Sequence, residues 1–385
     1  MKRKLRMGMV GGGRDAFIGP IHRIAASMDN KIELVCGAFS SSAKKSQLSG
    51  KDLLLPANRI YNNYEEMFVK ESKLPQNKKM DFVSIVTPNN MHYPIAMSAL
   101  DHEFHVVCDK PMTINIKEAE NLRKKVQSTN KLFCLTHNYT GTPMVKEARE
   151  MIINNQLGPI RRVVAEYPQG WLSENIEQEG QKQASWRTNP EIAGLSSCMG
   201  DIGTHCENLI EYITGLEITE LCADLNTFVK GRGLDDDGSI LLKLGKNTRG
   251  ILWASQIAIG EENGLNIRVY GEKGSLEWHQ KEPNTLLVHW LNKPTELKRT
   301  ATPFVGKTSI SNTRLPAGHP EGYIEAFANI YNNFANALSN EILKKTNKST
   351  KYDYPSVDDG VRGMLFLDAV IRSNKNEKKW TKITK

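Results

Sequence analysis

A run of three glycines limits what the start of this chain can fold into. Residues 11–13 are all glycine and follow directly on the apolar run 5–10, and an alanine three positions later completes the pattern G-x-G-x-x-G/A. After a strand and before a helix, this pattern lets the backbone approach the pyrophosphate of a dinucleotide. The alternative is a glycine-rich turn with a purely steric cause. We assign the loop to cofactor binding through Gly11, Gly12, Gly13, Ala16, Phe17 and Ile18.

The region around the glycine run alternates short apolar segments with helical patterns. This alternation is typical of a parallel sheet whose two faces are covered by helices. The clearest helices are residues 93–100 and 116–127. The predicted fold is therefore an α/β Rossmann domain, a doubly wound sheet over residues 1–137 with strands at 5–10, 32–39, 59–61, 81–87, 105–110 and 132–137.

The pattern changes after residue 137. A helix at 143–155 precedes a strand-rich half with turn residues between the strands, which predicts an α+β domain over 138–385 with a large, open, mostly antiparallel sheet. The segment 270–278 indicates a tight hairpin. Helices are expected at 322–338 and at about 356–373, and the last is a candidate for packing back onto the first domain.

Composition is typical of an ordinary globular protein, with 39% hydrophobic and 24% charged residues. No segment approaches the roughly 20 apolar residues of a membrane span, and the basic start lacks a signal-peptide core. We therefore expect a cytoplasmic protein without membrane contact. Six cysteines without a C-x-x-C pair predict reduced thiols. The net charge of +8 is spread over many segments, so no nucleic-acid partner is expected.

The end of the second strand bears on the choice between NAD and NADP. An acidic residue there would bind the ribose 2′-hydroxyl of NAD, but this chain has Ser40 and Ser41, followed by Lys44 and Lys45. Hydroxyls and lysines suit a 2′-phosphate, and serine also suits a plain ribose. We assign Ser40, Ser41 and Lys45 to cofactor binding and leave both cofactors open.

Two further loops follow strands at the edge where open α/β sheets bind ligands. The first carries Thr87, Pro88, Asn89 and His92, which we assign to the cofactor, although such polar groups also cap helices. The second carries Asp109 and Lys110, which Pro111 follows. Because a residue before proline is conformationally restricted, the turn would aim the lysine; the alternative is a surface charge.

A third segment pairs an acid with a histidine. Asp201 and His205 are four residues apart at the start of an amphipathic pattern, so both would lie on one helix face. The alternatives are a capping aspartate with a structural histidine, or a zinc site with Cys198 and Cys206, whose spacing matches no common zinc pattern. We assign no metal.

Taken together and in this order, the glycine loop, "VTPNNMH", "CDKP" and "GDIGTH" resemble the Gfo/Idh/MocA family of sugar and cyclitol oxidoreductases. The resemblance covers nearly the whole chain. The family's Glu-Lys-Pro triplet corresponds to Asp109-Lys110-Pro111, with an aspartate for the glutamate. The resemblance implies an N-terminal Rossmann domain and an active site covered by the second domain. It also implies subunit contacts made by the open sheet, so that a homodimer or homotetramer is expected.

The resemblance also implies a reaction, the transfer of hydride between a nicotinamide and a secondary alcohol or ketone of a polyol. Histidine titrates near neutral pH, so His205 would accept the hydroxyl proton. Lys110 would stabilise charge on the same oxygen, and Asp201 would orient the substrate or His205. These three are the assigned catalytic residues. The alternative is a regulator of the same fold that binds a dinucleotide without catalysis.

A polyol needs many hydrogen-bond partners and some flat apolar faces, and the segments 167–172, 184–190 and 312–322 offer both. For the tryptophans, core packing is the alternative. To the substrate we assign Lys110, Tyr167, Gln169, Trp171, Asp201, His205, Arg314 and His319. To the cofactor we add Asp109, Lys110, Asn138, Trp186 and Arg187.

Overall fold

The structure is a computed structural model that describes residues 3–344 and 353–384. These residues divide into two compact units that interleave along the sequence. The first contains the chain up to Thr113, then Lys117–Asn138 and Ile324–Val361; the second contains Ile114–Ile116, Tyr139–Tyr323 and the residues from Arg362. The division into domains at residues 1–137 and 138–385 stays a prediction.

In the described residues, strands and helices alternate from β1, which ends at the first glycine of the run, to β5, as predicted except at residues 59–61. The strands are β1 (Leu5–Gly11), β2 (Ile32–Ala38), β3 (Phe82–Val86), β4 (His105–Cys108), β5 (Phe133–Leu135), β6 (Ile160–Pro168), β7 (Ile218–Asn226), β8 (Asp237–Leu244), β9 (Thr248–Ser255), β10 (Asn266–Gly271), β11 (Gly274–His279), β12 (Thr285–Trp290), β13 (Glu296–Arg299) and β14 (Thr381–Lys382).

The α-helices within the same described ranges are α1 (Ile18–Met28), α2 (Ala43–Asp52), α3 (Tyr64–Ser72), α4 (His92–Asp101), α5 (Ile116–Thr129), α6 (Pro143–Ile153), α7 (Lys182–Arg187), α8 (Pro190–Ala193), α9 (Thr204–Thr214), α10 (Lys307–Ser311), α11 (Tyr323–Ile342) and α12 (Val357–Lys375). Short 3-10 turns occupy Ala57–Arg59, Asn89–Met91 and Asn138–Gly141, and a π-helical turn occupies Met199–Gly203.

The first unit is built on a parallel sheet. Its described strands lie in the order β2-β1-β3-β4-β5, and every residue of β3 is buried, as expected when helices cover both faces. The predicted doubly wound sheet is confirmed. The segment Ile324–Val361 joins this core through α11, where the ring of Phe334 lies 5.2 Å from that of Phe82.

The strand predicted at residues 59–61 is wrong. Only Ile60 pairs, as an isolated bridge to Gly37 of β2, and a 3-10 turn occupies Ala57–Arg59. Because Arg59 lies in the 3-10 turn, residues 59–61 do not form a continuous extended strand.

The second unit is built on a larger sheet. In the described residues its order is β13-β12-β11-β10-β6-β9-β8-β7-β14; its neighbours are antiparallel except β6 and β9. The large, mostly antiparallel sheet is therefore confirmed. The predicted hairpin is also confirmed, since β10 and β11 pair from Tyr270 and Ser275 outward and two residues separate the ends of the two strands.

No helix in the described ranges is both long enough and apolar enough to cross a membrane.

His105, the first residue of β4, makes folding sensitive to acid. Its Nδ1 accepts a hydrogen bond from the backbone N–H of Leu132 at 2.9 Å, so this nitrogen carries no proton. Burial lowers the pKa of His105 from 6.5 to about 4, and Lys131 adds a smaller effect. The unfolded chain therefore takes up a proton at higher pH than the folded chain. The free energy of unfolding must fall as the pH drops between these two values.

We expect the His105→Asn variant to resist this loss, because the asparagine side-chain oxygen can accept the same hydrogen bond without titrating. Between pH 7 and pH 4 the wild type should lose roughly 2–3 kcal/mol more than the variant. Urea unfolding at a series of pH values measures the difference. Parallel pH profiles for the two proteins would show that His105 is not the responsible group.

Candidate active site

The glycine loop has no room for side chains. Gly11 and Gly12 have positive φ angles of 83° and 69°, and a Cβ on Gly11 would lie 2.6 Å from the carbonyl oxygen of Val86. A Cβ on Gly13 would lie 2.5 Å from Ser49 Oγ. The backbone of this loop is therefore bare, as the sequence predicts for a site that a phosphate approaches closely.

The third position of the fingerprint differs from the prediction. The sequence pattern gives it to Ala16, but α1 begins only at Ile18, and Gly19 is the residue that packs against the glycine loop. A Cβ on Gly19 would lie 2.3 Å from the Cα of Gly12. Ala16 lies in the longer loop, where its N–H donates to the carbonyl of Gly13. The loop insertion moved the close contact three residues along the chain.

The start of α1 is open to an anion. Phe17 occupies the N-cap position without a side-chain cap hydrogen bond, and the residue is 62% exposed. The first N–H groups of a helix have no intrahelical partner and favour negative charge. The bare loop and the uncapped helix together fit the pyrophosphate of a dinucleotide, which the glycine loop and the first turn of α1 would hold.

The end of β2 carries the predicted serines and a lysine with an unforeseen partner. Ser40 Oγ accepts a hydrogen bond from the Ser42 N–H at 3.2 Å, and Ser41 is exposed. Lys45 Nζ lies 3.5 Å from the carboxylate of Asp15 in the glycine loop. Both side chains are well exposed, so the pair is weak. Asp15 nevertheless offsets the positive charge that a 2′-phosphate would need.

The buried side chain of His92 contacts the backbone of the loop after β3. His92 is 1% exposed, and its two ring nitrogens lie 2.7 Å from the carbonyl oxygen of Pro111 and 2.9 Å from that of Thr87. The imidazole thus ties together the two loops that carry predicted site residues. This role differs from the direct cofactor contact that we predicted, because both nitrogens already face backbone carbonyls.

Two other predicted cofactor residues keep buried polar atoms without a hydrogen-bond partner. These are Thr87 Oγ1 and Asn138 Nδ2. Leaving such atoms unpaired is costly, so a bound ligand is one way to satisfy them. Pro88 and Asn89 lie beside Thr87, and Asn89 is buried. Their cofactor contacts stay predictions.

Asp109 holds the turn that carries Lys110. One carboxylate oxygen of Asp109, Oδ1, accepts from the backbone N–H of Lys110 and from the hydroxyl of Thr136, each at 2.9 Å. The Lys110–Pro111 peptide bond is cis. Asp109 therefore holds the backbone of Lys110 in place, and both residues belong to the first unit.

In the second unit, Asp201 is fixed by two donors. Its Oδ2 accepts from Arg187 Nε at 2.9 Å and from Gln256 Nε2 at 3.0 Å. Arg187 in turn stacks its guanidinium over Trp186 at 4.2 Å and lies 5.8 Å from the ring of Trp171. The structure thus pairs Arg187 with a carboxylate, whereas we predicted a cofactor contact for Arg187 and for Trp186.

Asp201 and His205 do not share one regular helix. Asp201 lies in the π-helical turn Met199–Gly203, and α9 begins at Thr204. The buried carboxylate of Asp235 anchors this segment, since it accepts from the N–H groups of Ser197 and Met199.

The ring of His205 lies near two tyrosine rings. Its ring lies 5.0 Å from that of Tyr139 in an edge-on arrangement and 6.2 Å from that of Tyr167. The two tyrosine hydroxyls are 2.6 Å apart. Burial raises the pKa of both tyrosines well above its ordinary value, so both stay protonated. Tyr167 was predicted for the substrate; Tyr139 was not.

The predicted substrate residues Gln169 and Trp171 lie in one hydrogen-bonded chain. Gln169 donates to Asn263 at 2.6 Å and accepts from Trp171 Nε1 at 3.0 Å. The hydroxyl of Tyr167 also reaches Asn263, at 3.3 Å. Asn263 was missed because it lies in a loop 94 residues after Gln169.

The last two predicted substrate residues, Arg314 and His319, lie in the segment between α10 and α11. His319 is exposed, and its ring lies 3.2 Å from the carbonyl of Pro316 in its own loop. The backbone N–H of Arg314 donates a hydrogen bond to the carboxylate of Glu321. Their substrate contacts stay predictions. Among residues 3–344 and 353–384, no three His, Cys, Asp or Glu side chains are grouped to bind a metal.

Family models cover most of the chain. Residues 5–137 match the oxidoreductase family with an NAD-binding Rossmann fold, and residues 145–277 match the GFO/IDH/MocA C-terminal domain. The predicted resemblance is confirmed by both.

Individual relatives match over the full length. The uncharacterized oxidoreductase YfiI of Bacillus subtilis is 32% identical, over 99% of this chain and 97% of its own. A crystal structure of an oxidoreductase from Sinorhizobium meliloti is 45% identical with a TM-score of 0.88, covering 98% of this chain and 99% of that chain.

A third relative has been solved with its ligands. An inositol dehydrogenase homolog from Azotobacter vinelandii in complex with NAD+ is 33% identical with a TM-score of 0.95, covering 99% of this chain and 98% of that chain. A second crystal structure of an inositol dehydrogenase homolog from Azotobacter vinelandii, in complex with NADH and myo-inositol, is 32% identical with a TM-score of 0.93. The chain therefore belongs to the Gfo/Idh/MocA family of oxidoreductases, whose first domain is an NAD-binding Rossmann fold.

Proposed function

We propose that this protein is an NAD-dependent dehydrogenase acting on a secondary alcohol of an inositol or a related polyol. The proposal rests on the position of Asp201. Its carboxylate is held by hydrogen bonds from Arg187 and Gln256, and it lies just before α9, the helix that carries His205. Such a carboxylate can receive a substrate hydroxyl without moving. The Azotobacter vinelandii relative solved with NADH and myo-inositol supports the substrate class.

In the proposed reaction the bound NAD supplies a hydride acceptor, and the chain's own residues handle the proton and the charge. His205 takes the proton of the reacting hydroxyl, since a neutral imidazole is the ordinary base near pH 7. The ammonium of Lys110 stabilises the negative charge that develops on the reacting oxygen. Asp201 orients the polyol or the imidazole and favours the imidazolium that forms.

NAD is proposed over NADP. A 2′-phosphate would meet Lys45, but Asp15 lies 3.5 Å from the Lys45 ammonium and offsets its charge. Ser40 and Ser41 can bind a plain ribose hydroxyl. The relative at 33% identity that was solved with NAD+ supports the same choice.

A screen of inositols, aldohexoses and an anhydrosugar with NAD+ and with NADP+ tests the proposal, read as absorbance of the reduced nicotinamide. We expect turnover with at least one inositol, and a higher kcat/KM with NAD+. If the protein binds NADH but oxidises no compound in the panel, the result would instead favour a non-catalytic regulator that binds a dinucleotide.

The expected homodimer or homotetramer stays a prediction. One row of cross-strand partners on the larger sheet is rich in half-exposed or exposed apolar side chains, which suits a covered face. The row includes Cys222, Leu241, Ile251 and Val164. The expectations of a cytoplasmic location and of no nucleic-acid partner likewise stay predictions.

A further inference from the structure

A chain of buried polar groups lies behind Asp109 in the first unit. The hydroxyl of Ser84 is 2.8 Å from that of Tyr331, which is 2.8 Å from Nδ1 of His22. The other nitrogen of His22, Nε2, has no hydrogen-bond partner and faces Asp109 Oδ2 at 4.0 Å. All three side chains are fully or almost fully buried, so their polar atoms are shielded from bulk solvent.

These groups come from distant parts of the sequence. His22 lies on α1, the helix that follows the glycine loop, Ser84 lies on β3, and Tyr331 lies on α11. The segment Ile324–Val361 of the first unit therefore supplies the tyrosine hydroxyl that lies next to Nδ1 of His22.

The Asp109 carboxylate sets the direction of the hydrogen bonds. Burial lowers the pKa of His22 to about 4, so the ring is neutral and carries one proton. A distance of 4.0 Å is longer than a hydrogen bond, but in a buried site a carboxylate still attracts an N–H dipole strongly. The proton is therefore expected on Nε2. Nδ1 must then accept from Tyr331, whose oxygen accepts from Ser84.

The other oxygen of Asp109 holds the lysine turn. Oδ1 accepts from the N–H of Lys110 and from Thr136. A change in the charge or rotamer of Asp109 would therefore reach the backbone of Lys110 directly.

We infer that His22 and Tyr331 are positioning residues for Lys110. Through Asp109 they hold the lysine turn against α1, the helix proposed to seat the pyrophosphate, so that the lysine and the cofactor keep one geometry. The kinetic consequence rests on the proposed function, but the proton placement on His22 does not.

The kinetic test uses Tyr331→Phe, which removes one buried hydroxyl and keeps the ring, and His22→Gln, whose amide can still donate toward Asp109. We expect kcat with the polyol to fall on the order of tenfold in Tyr331→Phe, the low end of what orienting partners contribute at metal sites. The KM values and the NADH dissociation constant should change little. His22→Gln should retain more activity than His22→Leu.

Tyr61→Phe is the matched control. Tyr61 is also buried in the first unit and donates to Glu71 at 2.7 Å, with no link to Asp109. If Tyr61→Phe and Tyr331→Phe lower the melting temperature alike and both keep wild-type kcat, the role of Tyr331 is merely structural and the inference is wrong.

The second test needs no substrate. Nitrogen NMR of histidine-labelled full-length protein identifies the His22 signal by its loss in His22→Gln. The inference expects the Nε2–H tautomer in the wild type and a shift toward Nδ1–H in Asp109→Asn. An Nδ1–H tautomer in the wild type, or no change in Asp109→Asn, would overturn it. If no polyol is turned over, the proposed function fails, while this result still decides whether His22 donates toward Asp109, the contact on which the inference depends.

Discussion

Replacing Lys110 by methionine should lower kcat for the polyol by about 10²–10³-fold, the range measured when one donor to a developing oxyanion is removed. Methionine keeps most of the chain length and removes the charge. The turn itself should persist, because Asp109 binds the backbone N–H of residue 110 and not its side chain. Initial rates at saturating NAD+, together with NADH titration by fluorescence, measure the two effects separately.

Lys124→Met is the control for the lost charge, since Lys124 is an exposed residue of α5. It should leave kcat and NADH binding unchanged. If Lys110→Met keeps near-normal turnover, Lys110 does not stabilise the reacting oxygen. If Lys110→Met loses NADH binding and turnover in the same proportion, the role of Lys110 lies in the cofactor site.

Replacing Gly12 by alanine should weaken NADH binding by roughly 100-fold, which corresponds to about 2.7 kcal/mol. The new Cβ would lie 2.8 Å from Val86 Cγ2 and 2.9 Å from the Cα of Gly19, where α1 crosses the loop. Relief of this clash must push α1 away from β1, and the first turn of α1 is the proposed pyrophosphate seat. Calorimetric titration with NADH measures the loss.

Gly215→Ala separates the clash from backbone strain. Gly215 has nearly the same positive φ, 67°, but nothing lies within 4 Å of its added Cβ. Alanine there should cost on the order of 1–2 kcal/mol of stability and leave NADH binding intact. Equal NADH affinity in Gly12→Ala and the wild type would show that the loop does not seat the cofactor.

Much of the fold could be predicted because its signals are local. The glycine run, the short apolar strands and the hairpin at 270–278 each depend on neighbours in sequence. The membership of α11 in the first unit could not be predicted, since it depends on contacts such as Phe334 with Phe82 across some 250 residues. The contact of Gly19 with Gly12 was missed because the loop before α1 is longer than the pattern assumes.

The site divides in the same way. Lys110, Asp201 and His205 were predicted because each lies at a strand end or helix start with a distinctive neighbour. The residues that hold them were missed: Gln256 lies 55 residues from Asp201, and its only local signal is its position directly after β9. Arg187 was noticed, but its partner could not be, because a guanidinium suits a carboxylate and a phosphate equally well.

The central claim is that hydride leaves a carbinol carbon of a polyol for the nicotinamide. It is tested most directly with myo-inositol and the other polyols of the panel deuterated at their carbinol carbons, mixed with NAD+ and the protein, followed by mass spectrometry of the NADH formed. We expect NADH that carries one deuterium, together with a ketone formed from the polyol. NADH without deuterium, or no reduction of NAD+ by any deuterated polyol, would contradict the central claim.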